Sequence, residues 1–433
     1  MSDNFSWYWH NHVFTFGTNN EFYNFYNLFI RDNYGVYIYN NLNDFINGNL
    51  PREYSYSFSN VPGNKRWAPE FQAYQLGFYA QDEWKVNNRI KLTLGLRVDM
   101  PIFPDKPTAN STFNNDPYFQ KFSVATDQMP DAKPLWSPRF GFNYDVFGNR
   151  TTQIRGGTGI FTGRIPFVWL SNQFSNTGVE YVRYNFTSDP YNQPVGTVAA
   201  TSEINVVDPS FKFPQVFRVN LAVDQKLPFG IKGTLEGIYS KTLNNIVYKD
   251  LLRDANGNVN GFDNRPRYSI AYPTTPVPYT NVIYLGNSSD GYTYSISASL
   301  QKDFAFGLSL FGAYTFGESK AVNDGTSSQA YSNWRYNEQY SGPNNPELSY
   351  SDFDIRHRII GSITYKIEYA KMFATSIGIF YNGQSGSPFS YIYKGDINGD
   401  GQTTNDLIFV PTDDQIDQML ANGQFQNLTV GST

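Results

Sequence analysis

The constraint that most limits this chain is a period of two. It recurs in segments of about ten residues or more, and the connections between them alternate between very short and very long. In Arg89 to Asp99 (RIKLTLGLRVD), Ile90, Leu92, Leu94, Leu96 and Val98 point one way, while Arg89, Lys91, Thr93, Gly95, Arg97 and Asp99 point the other. A helix would scatter both sets around its axis. Tyr292 to Phe304 repeats the pattern, with Tyr294, Ile296, Ala298 and Leu300 against Thr293, Ser295, Ser297, Ser299 and Gln301. Similar segments lie at about 74–86, 137–147, 151–162, 215–227, 230–249, 307–320, 356–369 and 373–384, with a weaker one near 11–18. That makes about eleven strands, several long enough to cross a bilayer at a tilt, which takes about 9–11 residues.

Tight turns are expected at Asn87-Asn88, Gly148-Asn149-Arg150, Pro228-Phe229, Ala305-Phe306 and Ala370-Lys371. The intervening loops run over about 19–73, 100–136, 163–213, 251–290 and 321–355, with another opening at 385. A sandwich or propeller has no cause to put every long connection at one end, whereas membrane barrels have short periplasmic turns and long extracellular loops. The reading is therefore all-β: a partial transmembrane antiparallel β-barrel with long extracellular loops. Trp84, Phe147, Phe229, Phe304, Phe306, Tyr369 and Phe373 gather beside the short turns, where an interfacial aromatic girdle belongs. Leu92, Leu94, Leu96, Ile296, Leu300, Ile363 and Ile377 are expected to face lipid, and Lys91, Arg97, Gln301 and Lys366 the lumen. An odd count of about eleven cannot close in lipid, because an open edge leaves backbone groups unpaired, so further strands are expected beyond both ends.

Composition agrees. Aromatics are 18% of residues and charged residues only 16%, against roughly 25% charged in an ordinary soluble domain. The mean hydropathy of −0.47 is no objection, since only alternate residues of a barrel strand meet lipid. No apolar run reaches the roughly 18 residues of a membrane-spanning helix. No basic segment followed by an apolar one opens the chain, so no secretory leader is visible in it. The net charge of −5, without a basic cluster, gives nucleic acid no electrostatic footprint. There is no cysteine, which removes disulfides, thiolate metal sites and thiol nucleophiles. His10, His12 and His357 are the only histidines, too few for most triads or multi-histidine metal centres. These absences disfavour most enzyme classes.

The remaining chemical motifs mostly have plain structural readings. Gly156-Gly-Thr-Gly159 with Gly163 sits in strand, with no helix N-terminus to cradle a phosphate. Asp82 and Glu83 are adjacent in a strand and so point to opposite faces, which rules out joint work on one bond. Asp413-Asp414 is expected to cap a short helix at Gln415 to Ala421, and His357 is expected at a barrel rim. One motif is sharper. Asp396-Ile-Asn398-Gly-Asp400-Gly401 follows the opening of a calcium loop, with oxygen side chains on alternate residues and glycine at the sharp turn. The twelfth position is Leu407 where a bidentate carboxylate is needed, and Asp406 falls one residue early. Asp396, Asn398, Asp400 and Asp406 are the candidate ligands of a Ca²⁺ ion, and a polar turn is the alternative.

Several segments resemble a known family. Tyr79-Ala-Gln-Asp-Glu-Trp84, a short turn, then Leu92-Thr-Leu-Gly-Leu-Arg97-Val-Asp99 looks like a hairpin common in TonB-dependent outer-membrane receptors. Ser137-Pro-Arg-Phe-Gly-Phe-Asn-Tyr144, Gln153-Ile-Arg-Gly-Gly157 with Gly159-Ile-Phe161, and Asp354-Ile-Arg-His-Arg358 resemble later barrel segments of that family. Gly163-Arg-Ile-Pro-Phe-Val-Trp-Leu-Ser-Asn172 is similar to the Oar-like receptors of Bacteroidota. The resemblance spans about residues 11 to 411 and treats 1–433 as one barrel domain in fragment. It implies a barrel of about 22 strands closed by an N-terminal plug. It further implies a Gram-negative outer-membrane location, contact with outer-membrane lipid, and uptake of a scarce nutrient driven by the TonB complex through the plug. No plug or TonB-contacting box can be assigned to residues of this chain. The rivals are a passive porin or adhesin barrel and a soluble carbohydrate-binding β protein. Ligand contacts are expected in loops 163–213 and 321–355, at Trp169, Tyr181, Tyr184, Tyr331, Trp334, Tyr336 and Tyr340, because function gathers on loops displayed by a rigid scaffold.

Overall fold

The computed structural model describes residues 1–186 and 202–423. Twelve strands form one continuous antiparallel wall in chain order. They are β1 (Ser2–Trp9), β2 (His12–Tyr26), β3 (Glu70–Lys85), β4 (Ile90–Ile102), β5 (Leu135–Asp145), β6 (Thr152–Thr162), β7 (Gln215–Lys226), β8 (Ile231–Asp250), β9 (Gly291–Asp303), β10 (Leu308–Ala321), β11 (His357–Tyr369) and β12 (Phe373–Gln384). Each pairs with its sequence neighbours, as in an up-and-down barrel. The wall is open: β1 and β12 do not meet among the described residues. Ten of the eleven expected strands match within a few residues, and the weak one near 11–18 extends to Tyr26. The addition is β1, where Phe5, Trp7 and Trp9 alternate with Asn4, Ser6 and Tyr8 before a tight turn at His10-Asn11.

Every tight turn falls on one rim. Ala370 and Lys371 are both left-handed, at φ 52 and 61, the pair of positive angles that lets a two-residue hairpin follow the twist of its strands. Gly307 has φ 91, and a Cβ there would run into the Lys366 carbonyl, so only glycine fits.

The register confirms the two faces. Leu94 stands opposite Asp82 and Phe140, Ile296 opposite Gly237 and Phe316, and Ile363 opposite Leu310 and Ile379. Leu94, Ile296, Leu300, Ile363 and Ile377 are all exposed, on a face that Phe140, Phe316 and Ile379 share. The other face carries ion pairs. Arg97 donates to both carboxylate oxygens of Asp99 at 2.6 and 2.8 Å, and Arg155 bridges Asp224 at 2.9 Å and Glu236 at 3.2 Å across three strands. Lys91 meets Glu83, and Lys366 meets Glu368 at 2.5 Å. Asp82 is a carboxylate on the apolar face. It lies near the short-turn rim, 2.8 Å from His12 Nδ1, whose ring stacks on Phe14 and Trp84. Pairing lowers the cost of a charge at that depth. Phe147, Phe229, Phe306, Tyr369 and Phe373 are exposed along the same rim, as a girdle requires.

The buried core lies mostly in the long connections, joined by Phe71, Leu135, Ile246 and Tyr248 from the outer ends of β3, β5 and β8. A parallel strand pair, Ser202–Val207 with Tyr279–Ser288, adds to the outer end of β8. Around it pack two clusters: one of Trp169, Leu170, Phe174, Val207, Ile283 and Trp334, the other of Phe113, Phe119, Ile204, Val206, Leu252 and Val282. A three-stranded sheet of Val36–Ile38, Glu53–Ser59 and Tyr181–Phe186 and a hairpin of Arg253–Asn258 with Pro266–Ile270 complete this cap. The expected loops are thus a folded layer. A connection of 30 to 50 residues leaves too many backbone groups unpaired unless it builds its own ladders and core.

Candidate functional site

The cap encloses a polar cavity of about 280 Å³, lined by residues from six separate stretches of chain. Arg31 comes from the connection after β2, Asn172 from the helix Val168–Ser175, Tyr181 and Arg183 from the strand Tyr181–Phe186, and Glu203 from Ser202–Val207. The helix is fixed by Trp169, Leu170 and Phe174, which plunge into the core, while Asn172 binds the Val168 carbonyl at 2.8 Å and the Ser328 carbonyl at 2.9 Å. The second expected loop therefore closes the cavity through Ser328 and Gln329.

Charge in the cavity is unevenly matched. Arg183 Nη2 donates to Asp32 Oδ2 at 2.6 Å, and Arg31 Nε lies 3.8 Å from the same oxygen. Burial, and then the neighbouring Arg31 charge, hold the Arg183 guanidinium below its ordinary value. Burial pushes the Glu203 carboxyl up, against the lowering effect of Asn205, Arg31 and Arg183.

The structure sorts the seven expected ligand residues. Tyr181 lines the cavity, its hydroxyl donating to the Trp67 carbonyl at 2.7 Å while burial raises its phenol. Trp169 and Trp334 are core instead: their indole N–H groups donate to the Ser327 carbonyl at 2.9 Å and to Asn344 Oδ1 at 2.7 Å. The reason is the cap itself, which needs large rings inside. Tyr331 donates to Gln402 at 3.0 Å and Tyr340 to the Asp263 carbonyl, both tying loops together, and Tyr336 is exposed outside the cavity. The Tyr184 backbone pairs with Tyr56, and its side chain lies outside the described residues. Arg31, Arg183, Asn172 and Glu203 carry no local sequence signal, since they meet only after six separate stretches of chain fold together.

Asp396, Asn398, Asp400 and Asp406 do share one loop, but their oxygens are largely taken. Asp396 accepts from the Gly399 and Gly401 amides at 2.7 and 2.9 Å, Asn398 from Asp400 at 2.9 Å, Asp400 from Gln402 at 2.7 Å, and Asp406 from Ile397 at 2.7 Å. Among the described residues no three acidic or histidine groups gather as a metal set. The nearby positive charge is the fully buried Arg265, whose Nη1 lies 3.6 Å from Asp406 Oδ1. The geometry is that of a self-capped polar turn docked on the hairpin that carries Arg265. The neighbouring short helix also differs from expectation: Thr412, reciprocally bonded with Gln415, caps it, and Asp413 and Asp414 sit in its first turn.

This loop yields a pH prediction. Burial first, then the charges of Asp396 and Asp406, push the Asp400 carboxyl up to about 6. A carboxyl whose folded value exceeds its unfolded one favours the folded loop at low pH, and that contribution is lost as pH rises through about 6. Protease nicking between Gly395 and Asn405 should thus be slower at pH 5 than at pH 7.5, and Asp400→Asn should remove most of the difference. Equal nicking of the wild type at both pH values would contradict it.

The chain matches the profile described as the outer membrane beta barrel domain over residues 1–428. It belongs to that family. The family membership and the fold together place the protein in the outer membrane of a Gram-negative bacterium. Among solved structures it is similar to the siderophore receptor PirA from Acinetobacter baumannii, at 11% identity over 85% of this chain and 40% of that one, with a TM-score of 0.44. The FrpB iron transporter from Neisseria meningitidis, F5-1 variant, is 9% identical over 84% of this chain and 40% of its own, with a TM-score of 0.46. The outer membrane transporter YddB from Escherichia coli is 11% identical over 88% of this chain and 46% of its own, with a TM-score of 0.45. The chain thus spans less than half the length of these proteins. No curated protein matches.

Proposed function

We propose that this domain is the wall and outer cap of a TonB-dependent receptor that takes up a scarce nutrient, acting as a transporter and not as an enzyme. In that reading the remaining strands and a plug belong to the whole protein, and the plug makes the contact with the TonB complex. The Oar-like resemblance of Gly163 to Asn172 extends this to a receptor of Bacteroidota type.

The observation that carries the reading is the cap. A pore for passive diffusion works by keeping its lumen open to water. Here the connections on the long-loop rim build a packed layer with a polar cavity inside it, the arrangement expected of a protein that captures its ligand before moving it. The porin alternative predicts solute entry that is indifferent to the cap and to energy coupling.

The test uses the full-length protein in its own outer membrane. Growth on limiting nutrient should depend both on this gene and on TonB. Loop 163–213 supplies the helix and the strand at the heart of the cap core, so removing it should abolish uptake while the wall still assembles. Uptake that persists in a strain lacking TonB, or after loss of that loop, would return the domain to the porin class.

A further inference from the structure

The cavity in the cap sets the guanidiniums of Arg31 and Arg183 against the carboxylates of Asp32 and Glu203. Arg31 and Arg183 both line it, and among the described residues the one carboxylate within ion-pair distance of them is Asp32. A single Asp32 oxygen serves both guanidiniums, at 2.6 Å for Arg183 and 3.8 Å for Arg31. Arg183 Nε is shut off from solvent without a hydrogen-bond acceptor. A guanidinium offers five donors in a planar fork, so two of them around one shared oxygen leave most of that capacity unused. A desolvated donor without an acceptor is costly, and an arriving oxyanion removes the cost.

The other walls narrow the class of ligand. Leu28, Phe29 and Val168 supply apolar surface, and Asn172 and Tyr181 supply polar edges. An inorganic ion would leave the apolar wall wet. A cation would meet two guanidiniums. A small organic body with a planar oxyanion satisfies both surfaces, and the fork of arginine matches a carboxylate in two parallel bonds.

We propose that this cavity binds a small organic carboxylate, gripped by Arg31 and Arg183 with its carbon skeleton against Leu28, Phe29 and Val168. The inference rests on the receptor reading only for its place in uptake; binding itself needs neither TonB nor a plug. Glu203 tunes the site. It faces Arg31 and Arg183 across the cavity, with Asp250 and Tyr331 nearby, and once ionised it competes with the ligand for both guanidiniums. Carboxylate binding therefore weakens as pH rises and Glu203 loses its proton, and Glu203→Gln flattens that dependence.

The experiment is titration calorimetry on full-length protein in detergent with succinate, citrate and benzoate, and with inorganic phosphate and putrescine as contrasts. At least one carboxylate should bind saturably. Arg31→Gln and Arg183→Gln should each weaken it roughly tenfold or more, the loss of a charge-assisted pair. Arg31 is the safer variant for folding, since its closest acidic contact is the long 3.8 Å one, and unchanged protease resistance of the cap confirms that the site survives. No carboxylate binding, equal binding by wild type and both arginine variants, or tighter binding of phosphate than of every carboxylate would overturn the assignment. Carboxylate binding lost in the arginine variants while TonB-dependent uptake continues keeps the binding site and the receptor but takes the site out of the uptake route. Binding retained in a protein whose uptake ignores TonB does the reverse.

Discussion

Trp334→Ala should unfold the cap and leave the wall standing. The indole is 1% exposed, stacks on Tyr331 at 6.0 Å between ring centres, and packs in the cluster with Trp169 and Ile283. Its N–H donates to Asn344 Oδ1 at 2.7 Å, and Asn344 in turn donates to the Asp250 and Arg253 carbonyls at 2.8 Å each. One ring thus ties the 321–356 connection to the outer end of β8. Truncating a buried aromatic to alanine costs about 3–5 kcal/mol through lost burial and the cavity left behind. That is a large part of the stability of a layer this small. Limited proteolysis should show rapid cleavage within 321–356, while the wall keeps its resistance to detergent. Tyr336→Ala, at an exposed position outside the core, should stay within about 0.5 kcal/mol of wild type. Similar protection of both variants would remove Trp334 from the core.

Leu94→Arg is the second large effect, and it acts on the wall. Leu94 is 49% exposed in the isolated chain, with Leu92 and Leu96 on the same face of β4 and Phe140 opposite on β5. In a bilayer that exposure becomes lipid contact. Arginine on the lipid face near the midplane costs about 2–4 kcal/mol, falling toward zero at the interfaces. The matched control is Thr93→Arg, one residue away on the face that carries the Lys91–Glu83 and Arg97–Asp99 pairs. It should cost far less, because that side is polar already. Reversible unfolding of the full-length protein from lipid vesicles reads both values, and equal costs at 93 and 94 would contradict the assignment of faces.

The wall was legible because lipid and lumen impose opposite chemistry on successive residues, so sequence alone fixed both the strand and its facing. β4 and β9 carry that signature without interruption. β1 is less legible because Asp3 falls on its apolar face and Tyr8 on its polar one, although Phe5, Trp7 and Trp9 share a face. The cap was much less legible. Its core pairs Trp169 with residues more than a hundred positions away, and its parallel strands, Ser202–Val207 and Tyr279–Ser288, are short apolar runs that read equally well as loop. Aromatic rings in long loops were read as ligand platforms, and Trp169 and Trp334 proved to be what holds those loops together. The Asp396 to Asp406 loop shows the same limit. Alternating oxygen side chains are common to calcium loops and to turns that cap their own amides, and only the partners of each oxygen distinguish them.

The most direct test of the account places single cysteines in the full-length protein at Thr93, Leu94 and Tyr336 and labels membranes with a water-soluble maleimide. The natural chain has no cysteine to give background in this domain. Cysteine at 336, on the outer surface of the cap, should label in intact cells. Cysteine at 93 should label once the reagent reaches the lumen, and cysteine at 94 should stay unlabelled until detergent replaces the lipid. Equal labelling at 93 and 94 in intact membranes would contradict the two-faced wall on which the reading of this protein depends.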